Sequence, residues 1–236
     1  MKTKKEKEKL IKQEKQLDNS LQTFNIIPPA SEMSEKDEVL AKCYNDLLFF
    51  GRAFLPNDFL NKSASPLCHY QISKRLISTK PGERLCIILP RGFGKSILSK
   101  TAILHKLCFS GADAQNFIAW VSEEQGQSID HLKFLRHHLE TNKMIKYYFG
   151  NMDGGSVGKR WTEKDLVTPK GDRIIAKGTS QRLRGRAEVD VRYTGIILDD
   201  FESELNTKTP DRRNDIKRWV VSTIYPALEE SPGREG

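Results

Sequence analysis

Apolar residues in this chain fall into short continuous runs and into stripes with helical spacing. The runs at residues 85–89 and 116–122 predict buried strands. Between and after them, residues 97–107 and 128–140 carry apolar positions three and four apart, which predicts amphipathic helices. Strands that alternate with helices are typical of an α/β fold built on a largely parallel sheet.

Four more elements complete the predicted pattern. Residues 36–54 predict one amphipathic helix packing on the main domain, and residues 65–77 predict a short helix before the first strand. Residues 159–176 predict a hairpin that turns at Lys170-Gly171-Asp172, and residues 210–219 predict a charged helix. His137 and His138 are expected at the protein surface.

The first 35 residues differ in composition from the rest. Residues 1–16 are rich in Lys and Glu and fit either a solvated tail or a basic arm that contacts DNA or a partner protein. Pro28-Pro29 indicates a linker. We therefore expect an N-terminal arm and linker over residues 1–35, and one domain over residues 36–236.

Composition narrows the class of protein. Hydrophobic residues make up 37% and charged residues 30%, and the net charge is +8. This charge suits a polyanionic partner, but by itself it is a weak indication of one. The four cysteines are far apart and form no metal-ligand spacing, and Cys86 and Cys108 are expected in the core. No secretory leader or membrane-spanning run is evident, so we expect a reducing cytosol.

A glycine turn joins the first predicted strand to the helix that follows. Its sequence is Pro-Arg-Gly-Phe-Gly-Lys-Ser, residues 90–96. Strand, glycine loop, Lys-Ser and helix form the architecture of a phosphate-binding P-loop, although Leu89 stands where the usual pattern has its first glycine. Lys95 would reach the β- and γ-phosphates and Ser96 would hold Mg²⁺. The alternative is an ordinary turn. Predicted binding residues are Arg91, Gly92, Phe93, Gly94, Lys95, Ser96 and Ile97.

A further short apolar run, within residues 193–202, ends in Asp199, Asp200 and Glu202. At the carboxyl end of a parallel strand these carboxylates would lie beside the glycine turn. Asp199 would hold Mg²⁺ through water, and either Asp200 or Glu202 would orient the attacking water. The alternative is a strand followed by a solvated acidic turn.

Two further segments are candidates for contact with a nucleotide. In the 65–77 helix, Gln71 can hydrogen-bond the adenine edge and Tyr70 or His69 can stack on it; a plain surface helix fits equally well. Residues 178–192 form a basic loop that can meet DNA or the nucleotide of a neighbouring subunit, or can simply be solvated. Its arginines are Arg182, Arg184, Arg186 and Arg192.

Taken together, residues 89–96, 178–185 and 196–202 resemble the ATPase half of a terminase large subunit, the DNA-packaging motor of tailed bacteriophages. The aromatic lead-in at residues 50–77, with its His-Tyr-Gln, is similar to that family as well. The resemblance covers residues 46–228. It implies an ASCE-type P-loop fold with helices on both faces of a mostly parallel sheet.

The resemblance also implies a set of ligands and partners. These are ATP and Mg²⁺, double-stranded DNA, a homo-oligomeric ring, commonly a pentamer, a portal protein and a small terminase subunit. The expected location is the cytoplasm of the infected host cell, with no place in the virion and no membrane. Arg91 matches the arginine that the family carries four residues before the lysine, and would act within its own subunit. Arg184 or Arg186 would reach the neighbouring subunit's nucleotide.

The chain departs from the family in two places. The family follows its metal-binding aspartate directly with glutamate, whereas here Asp200 and Phe201 precede Glu202. Family members also continue into a strand with a coupling motif and a nuclease domain, so we expect a truncated ATPase domain without nuclease activity. The alternatives are a helicase-like or switch P-loop ATPase, and a basic DNA-binding module with a vestigial nucleotide site.

Overall fold

A computed structural model of the chain describes residues 34–59, 65–80, 82–111, 115–179, 181, 183 and 192–228. The chain divides into two compact units, Met1–Asn45 and Asp46–Gly236. In the first, the described residues form helix α1 (Glu35–Asn45). The Oγ atom of Ser34 accepts a hydrogen bond from the backbone N–H of Asp37, which satisfies one free donor at the start of this helix.

The second unit is an α/β unit. Its helices are α2 (Leu47–Phe54), α3 (Leu67–Ser78), α4 (Lys95–Cys108), α5 (Gln125–Thr141), α6 (Lys143–Phe149), α7 (Glu204–Thr207) and α8 (Pro210–Trp219). Its strands are β1 (Phe117–Ser122), β2 (Asp165–Val167), β3 (Arg173–Gly178) and β4 (Gly195–Leu198). Short turns of 3₁₀-helix (Gly155–Val157), π-helix (Val220–Ile224) and α-helix (Tyr225–Ala227) complete it.

The four strands form one open, mixed sheet in the order β2-β3-β1-β4. Strand β1 is parallel to both β3 and β4, and β2 pairs antiparallel with β3. The predicted strand at 116–122 and the predicted hairpin are therefore confirmed. The hairpin turn contains Gly171 at φ +95°, a left-handed conformation that glycine adopts without steric strain.

Alternate residues of β1 pack on opposite faces of the sheet, as the period of a strand requires. On one face, Phe117 stacks on Tyr193 with their ring centroids 4.3 Å apart, and Ile224 belongs to the same buried cluster. On the other face, the fully buried Trp120 stacks on His131 of α5, with centroids 4.6 Å apart. The sheet is thus covered on both faces, which confirms an α/β fold with flanking helices.

Helix α5 is fixed to the sheet by polar contacts as well as by apolar packing. The hydroxyl of Ser128 donates to the carbonyl oxygen of Lys177 at 2.8 Å, and the side-chain amide of Gln125 donates to that of Ala176 at 3.0 Å. Leu132, Leu135 and Leu139 are fully buried on the apolar stripe of α5. These contacts hold α5 in a fixed place over the carboxyl ends of β1 and β3.

The strand predicted at residues 85–89 is wrong. Residues 83–90 have no regular secondary structure, the side chain of Ile88 is 88% exposed, and Cys86 is exposed although it was expected in the core. An apolar run indicates a strand only where a neighbour is available to pair with it. Within the described residues, the sheet ends at β4 on this side. The guanidinium of Arg84 lies 3.6 Å from the ring centroid of Tyr225, so the start of this segment contacts the helical turn Tyr225–Ala227.

Two other expectations need correction. The helix predicted over residues 36–54 is interrupted at Asp46, whose side chain accepts hydrogen bonds from the N–H groups of Leu48 and Phe49 and so begins a new helix. His138 is not a surface residue: it is half-buried, and its Nε2 lies 3.2 Å from the Oδ2 of Asp58. His137 is exposed and Cys108 is buried, as predicted.

Candidate active site

The predicted phosphate-binding residues form a tight turn that leads directly into α4. Gly92 and Gly94 both have positive φ, +83° and +68°, and Gly94 is the N-cap of the helix. A Cβ at Gly94 would lie 3.2 Å from the Cγ2 of Ile97, so a side chain here would be strained and also crowded. A left-handed turn that opens a helix presents backbone N–H groups to a common point, and anions bind at such concavities.

Lys95 closes this turn. Its Nζ donates a hydrogen bond to the carbonyl oxygen of Leu89, six positions earlier, at 2.7 Å. Lys95 and Ser96 are half-buried as the first two residues of α4, whereas Arg91 and Phe93 are exposed in the turn. The lysine is therefore positioned by the loop itself, beside the N-terminus of the helix.

Helix α3 supports the turn from outside. The Nε2 of His69 lies 3.0 Å from the carbonyl oxygen of Phe93, within hydrogen-bonding distance. This contact joins the glycine turn to α3. The sequence does not predict it, because the two residues are 24 positions apart. Tyr70 and Gln71 are exposed on the same helix, and their predicted contacts with adenine stay predictions.

The acidic residues follow β4 at the carboxyl end of the parallel strands. The backbone N–H of Asp199 donates to the carbonyl oxygen of Val121, and that of Glu123 donates to the carbonyl oxygen of Asp200. These bonds join the loop after β4 to the end of β1. Asp200 has φ +46°, the one positive φ at a non-glycine residue in the described part of the chain. Strained backbone of this kind concentrates at functional sites.

The carboxylate of Asp199 is buried and incompletely satisfied. Its Oδ2 makes no hydrogen bond to any described residue, and its nearest charged or titratable neighbour is the Nε2 of His131 at 3.4 Å. The hydroxyl of Ser122 and the indole N–H of Trp120, on β1 beside β4, are buried and also without a hydrogen-bond partner among the described residues. Buried polar atoms without partners are uncommon in proteins, and those of Ser122 and Asp199, at neighbouring strand ends, fit a polar or charged ligand.

Lys100 connects the glycine-turn helix with this carboxylate. Burial lowers the pKa of Lys100, and the charges of Asp58 and Asp199 oppose that shift. Lys100 therefore lies within electrostatic range of Asp199. Ser96 is one turn earlier on the same face of α4, because positions four apart in a helix lie one above the other. Ser96 and Lys100 therefore share one face of α4.

The histidine beside Asp199 is mainly uncharged near neutral pH. Burial lowers the pKa of His131; the negative charge of Asp199 opposes this shift, and Lys100 adds to it. Asp200 also acts electrostatically on His131, which places the Asp200 carboxylate near this cluster. Glu202 is exposed, one residue before the Ser203 N-cap of α7.

Of the remaining predicted residues, the structure describes Ile97 and Arg192. Ile97 is half-buried within the first turn of α4. Arg182, Arg184 and Arg186 lie outside the described residues, so their predicted role stays a prediction. Arg192 donates to the carbonyl oxygens of Pro226 and Leu228, at 3.3 and 3.4 Å, and thereby holds the start of β4 against the helical turn Tyr225–Ala227.

Within the described residues, no three His, Cys, Asp or Glu side chains are arranged to hold a metal ion by themselves. Mg²⁺ in phosphate chemistry does not require such a cluster, since it uses one or two carboxylates, water and phosphate oxygens. Asp199 and Ser96 are the residues that the sequence predicts as protein ligands of that set, and this stays a prediction. None of the described helices is long and apolar enough to cross a membrane.

The comparisons with known proteins leave the family open. A scan against known protein families matched none of them, and a search of curated proteins found no similar sequence.

Proposed function

We propose that this chain is a Mg²⁺-dependent ATPase with an ASCE-type P-loop fold. The observation that supports the proposal is that Lys100, on the helix that the glycine turn opens, interacts electrostatically with Asp199 at the end of β4. Glycine turn and carboxylate are distant in sequence, and an active site for phosphoryl transfer needs both in one place.

In this proposal each group has a distinct role. The N–H groups of the 90–96 turn and the ammonium of Lys95 hold the β- and γ-phosphates, and Arg91 stabilises the γ-phosphate from within the same subunit. Ser96 and Asp199 hold Mg²⁺, which neutralises phosphate charge when it is bound. Either Asp200 or Glu202 orients the attacking water.

We further propose that the ATPase drives double-stranded DNA into a procapsid, as the resemblance to terminase large subunits implies. The net charge of +8 suits a polyanionic substrate. The proposed partners are other copies of the chain in a ring, commonly a pentamer, together with a portal protein and a small terminase subunit. The proposed location is the cytoplasm of an infected host cell.

Arg184 or Arg186 is proposed to act on the neighbouring subunit's nucleotide. Arginines supplied in this way accelerate phosphoryl transfer by roughly 10³–10⁵-fold. Mixing Lys95→Ala protein with Arg184→Ala/Arg186→Ala protein tests this, because only a mixed interface combines an intact site with an intact arginine. Recovered activity in the mixture supports the assignment, and mixtures as inactive as the separate variants contradict it.

The proposed function is tested by phosphate release from ATP, measured with and without Mg²⁺ and double-stranded DNA. We expect turnover that requires Mg²⁺ and rises with DNA. Because helicases also show DNA-stimulated turnover, strand separation and procapsid packaging are measured in parallel. Packaging without strand separation supports a translocating motor, whereas strand separation indicates a helicase-like enzyme. Absence of Mg²⁺-dependent turnover under all conditions contradicts the proposal.

A further inference from the structure

We infer that His131 is a positioning residue that fixes the carboxylate of Asp199 for metal binding, an inference that rests on the proposed function. The Nε2 of His131 lies 3.4 Å from the Oδ2 of Asp199, and both side chains are largely shielded from solvent, at 22% and 15% exposure. The sequence does not predict this contact, because His131 is simply one polar position of a predicted amphipathic helix.

The imidazole ring is held on two sides. It stacks on the fully buried indole of Trp120, with an interplanar angle of 25°. Ser128, one turn earlier on the same face of α5, donates to the carbonyl oxygen of Lys177 in β3 and fixes the helix. A ring held in this way cannot move away from the carboxylate without losing the stack.

The carboxylate, by contrast, has no other anchor among the described side chains. Its Oδ2 lacks a hydrogen-bond donor there, and the charge of Lys100 acts on it without an ion pair in the described contacts. Among the described residues, His131 is thus the nearest charged or titratable side chain to the Asp199 carboxylate. Groups that orient a metal-binding side chain typically affect metal affinity by about 10–100-fold when removed.

Two variants separate the polar contact from simple packing. His131→Phe keeps a flat ring against Trp120 but removes the nitrogen near Asp199. His131→Gln removes the ring but can place an amide nitrogen where Nε2 stands. A positioning role predicts loss in His131→Phe and partial rescue in His131→Gln, and a packing role predicts the opposite order. His137→Ala serves as the control, since His137 is an exposed histidine of the same helix.

The measurement is Mg²⁺-dependent binding of a fluorescent ATP analogue, with thermal melting to confirm folding. We expect His131→Ala and His131→Phe to raise the half-saturating Mg²⁺ concentration by roughly 10–100-fold. We expect metal-free binding to stay as in the wild type, and His137→Ala to match the wild type throughout.

Two results overturn the inference, and they are distinguishable. If the wild type shows Mg²⁺-dependent binding and His131→Phe retains it fully, His131 acts by packing alone. If the wild type shows no Mg²⁺-dependent binding at all, the proposed function fails and this inference fails with it.

Discussion

The ammonium of Lys95 and the carbonyl oxygen of Leu89 are joined by a hydrogen bond of 2.7 Å that closes the glycine turn. The bond folds the lysine side chain back over residues 90–94 and keeps its charge beside the N-terminus of α4. A phosphate entering the turn would replace that carbonyl as the partner of the ammonium. The turn is therefore closed by a contact within the chain itself.

Replacing this lysine tests the turn directly. Lys95→Ala should reduce ATP hydrolysis to background, because the ammonium neutralises charge on the β- and γ-phosphates. The fold should persist, since alanine is a good helix former at this position. Phosphate release and circular dichroism are the measurements.

The matched control is Lys143→Ala, because Lys143 is likewise the first residue of a helix and is exposed. This variant should hydrolyse ATP as the wild type does. Near-normal turnover in Lys95→Ala would contradict the phosphate-binding role of the turn.

The residue that activates water can be identified by comparing Asp200→Asn with Glu202→Gln. The general base contributes about 10²–10⁴-fold to the chemical step, so its loss should leave ATP binding intact and nearly abolish cleavage. Single-turnover hydrolysis distinguishes the two residues, and normal cleavage in both variants contradicts the mechanism.

The sequence predicted most of the fold because its elements carry local signals. The apolar run at 116–122, the glycine-containing hairpin turn and the stripe of leucines in α5 each depend on neighbours in sequence. The 85–89 segment shows where such reasoning fails. Its apolar run is as clear as that of β1, but pairing depends on a partner strand, which local pattern does not describe.

The candidate site could be predicted only in part, again because the sequence shows local motifs and not contacts between distant segments. Gly92, Gly94, Lys95 and Asp199 belong to recognisable short motifs, whereas His69, Lys100 and His131 act through contacts between distant segments. His69 meets a residue 24 positions away. Lys100 and His131 lie in ordinary amphipathic helices, and only packing of α4 and α5 at the end of β4 gives them a role.

The exposed position of residues 85–89 predicts a small effect of mutation there. Ile88→Ala should change the free energy of unfolding by no more than about 0.5 kcal/mol, as is usual at the surface. Ile118→Ala, in β1 and 2% exposed, should cost about 2–5 kcal/mol. Urea unfolding measures both. Equal, large losses in the two variants would show that Ile88 is buried and contradict this part of the fold.

Asp165 in β2 makes stability depend on pH. Burial alone would raise its pKa, but hydrogen bonds from Arg173 and Arg160, at 2.8–2.9 Å, lower it below the ordinary value. A carboxyl with a lowered folded-state pKa stabilises the protein above its unfolded pKa, and this contribution is lost as the pH falls through the folded pKa.

Asp165→Asn should therefore lower the free energy of unfolding by about 1–3 kcal/mol near neutral pH. The difference from the wild type should shrink in acid, where the wild type has lost the same contribution. Urea unfolding across pH is the measurement, and the exposed neighbour Glu163→Gln is the control. A difference that stays constant with pH contradicts the assigned ion pairs.

The central claim is that the glycine turn and Asp199 form one Mg²⁺–ATP site, and the Mg²⁺ dependence of ATP binding by Asp199→Asn tests it most directly. We expect this variant to bind ATP without metal as the wild type does, and to lose the increase in affinity that Mg²⁺ gives. Asp211→Asn removes the same charge at an exposed position and should bind normally. A wild-type response to Mg²⁺ in Asp199→Asn would contradict the claim.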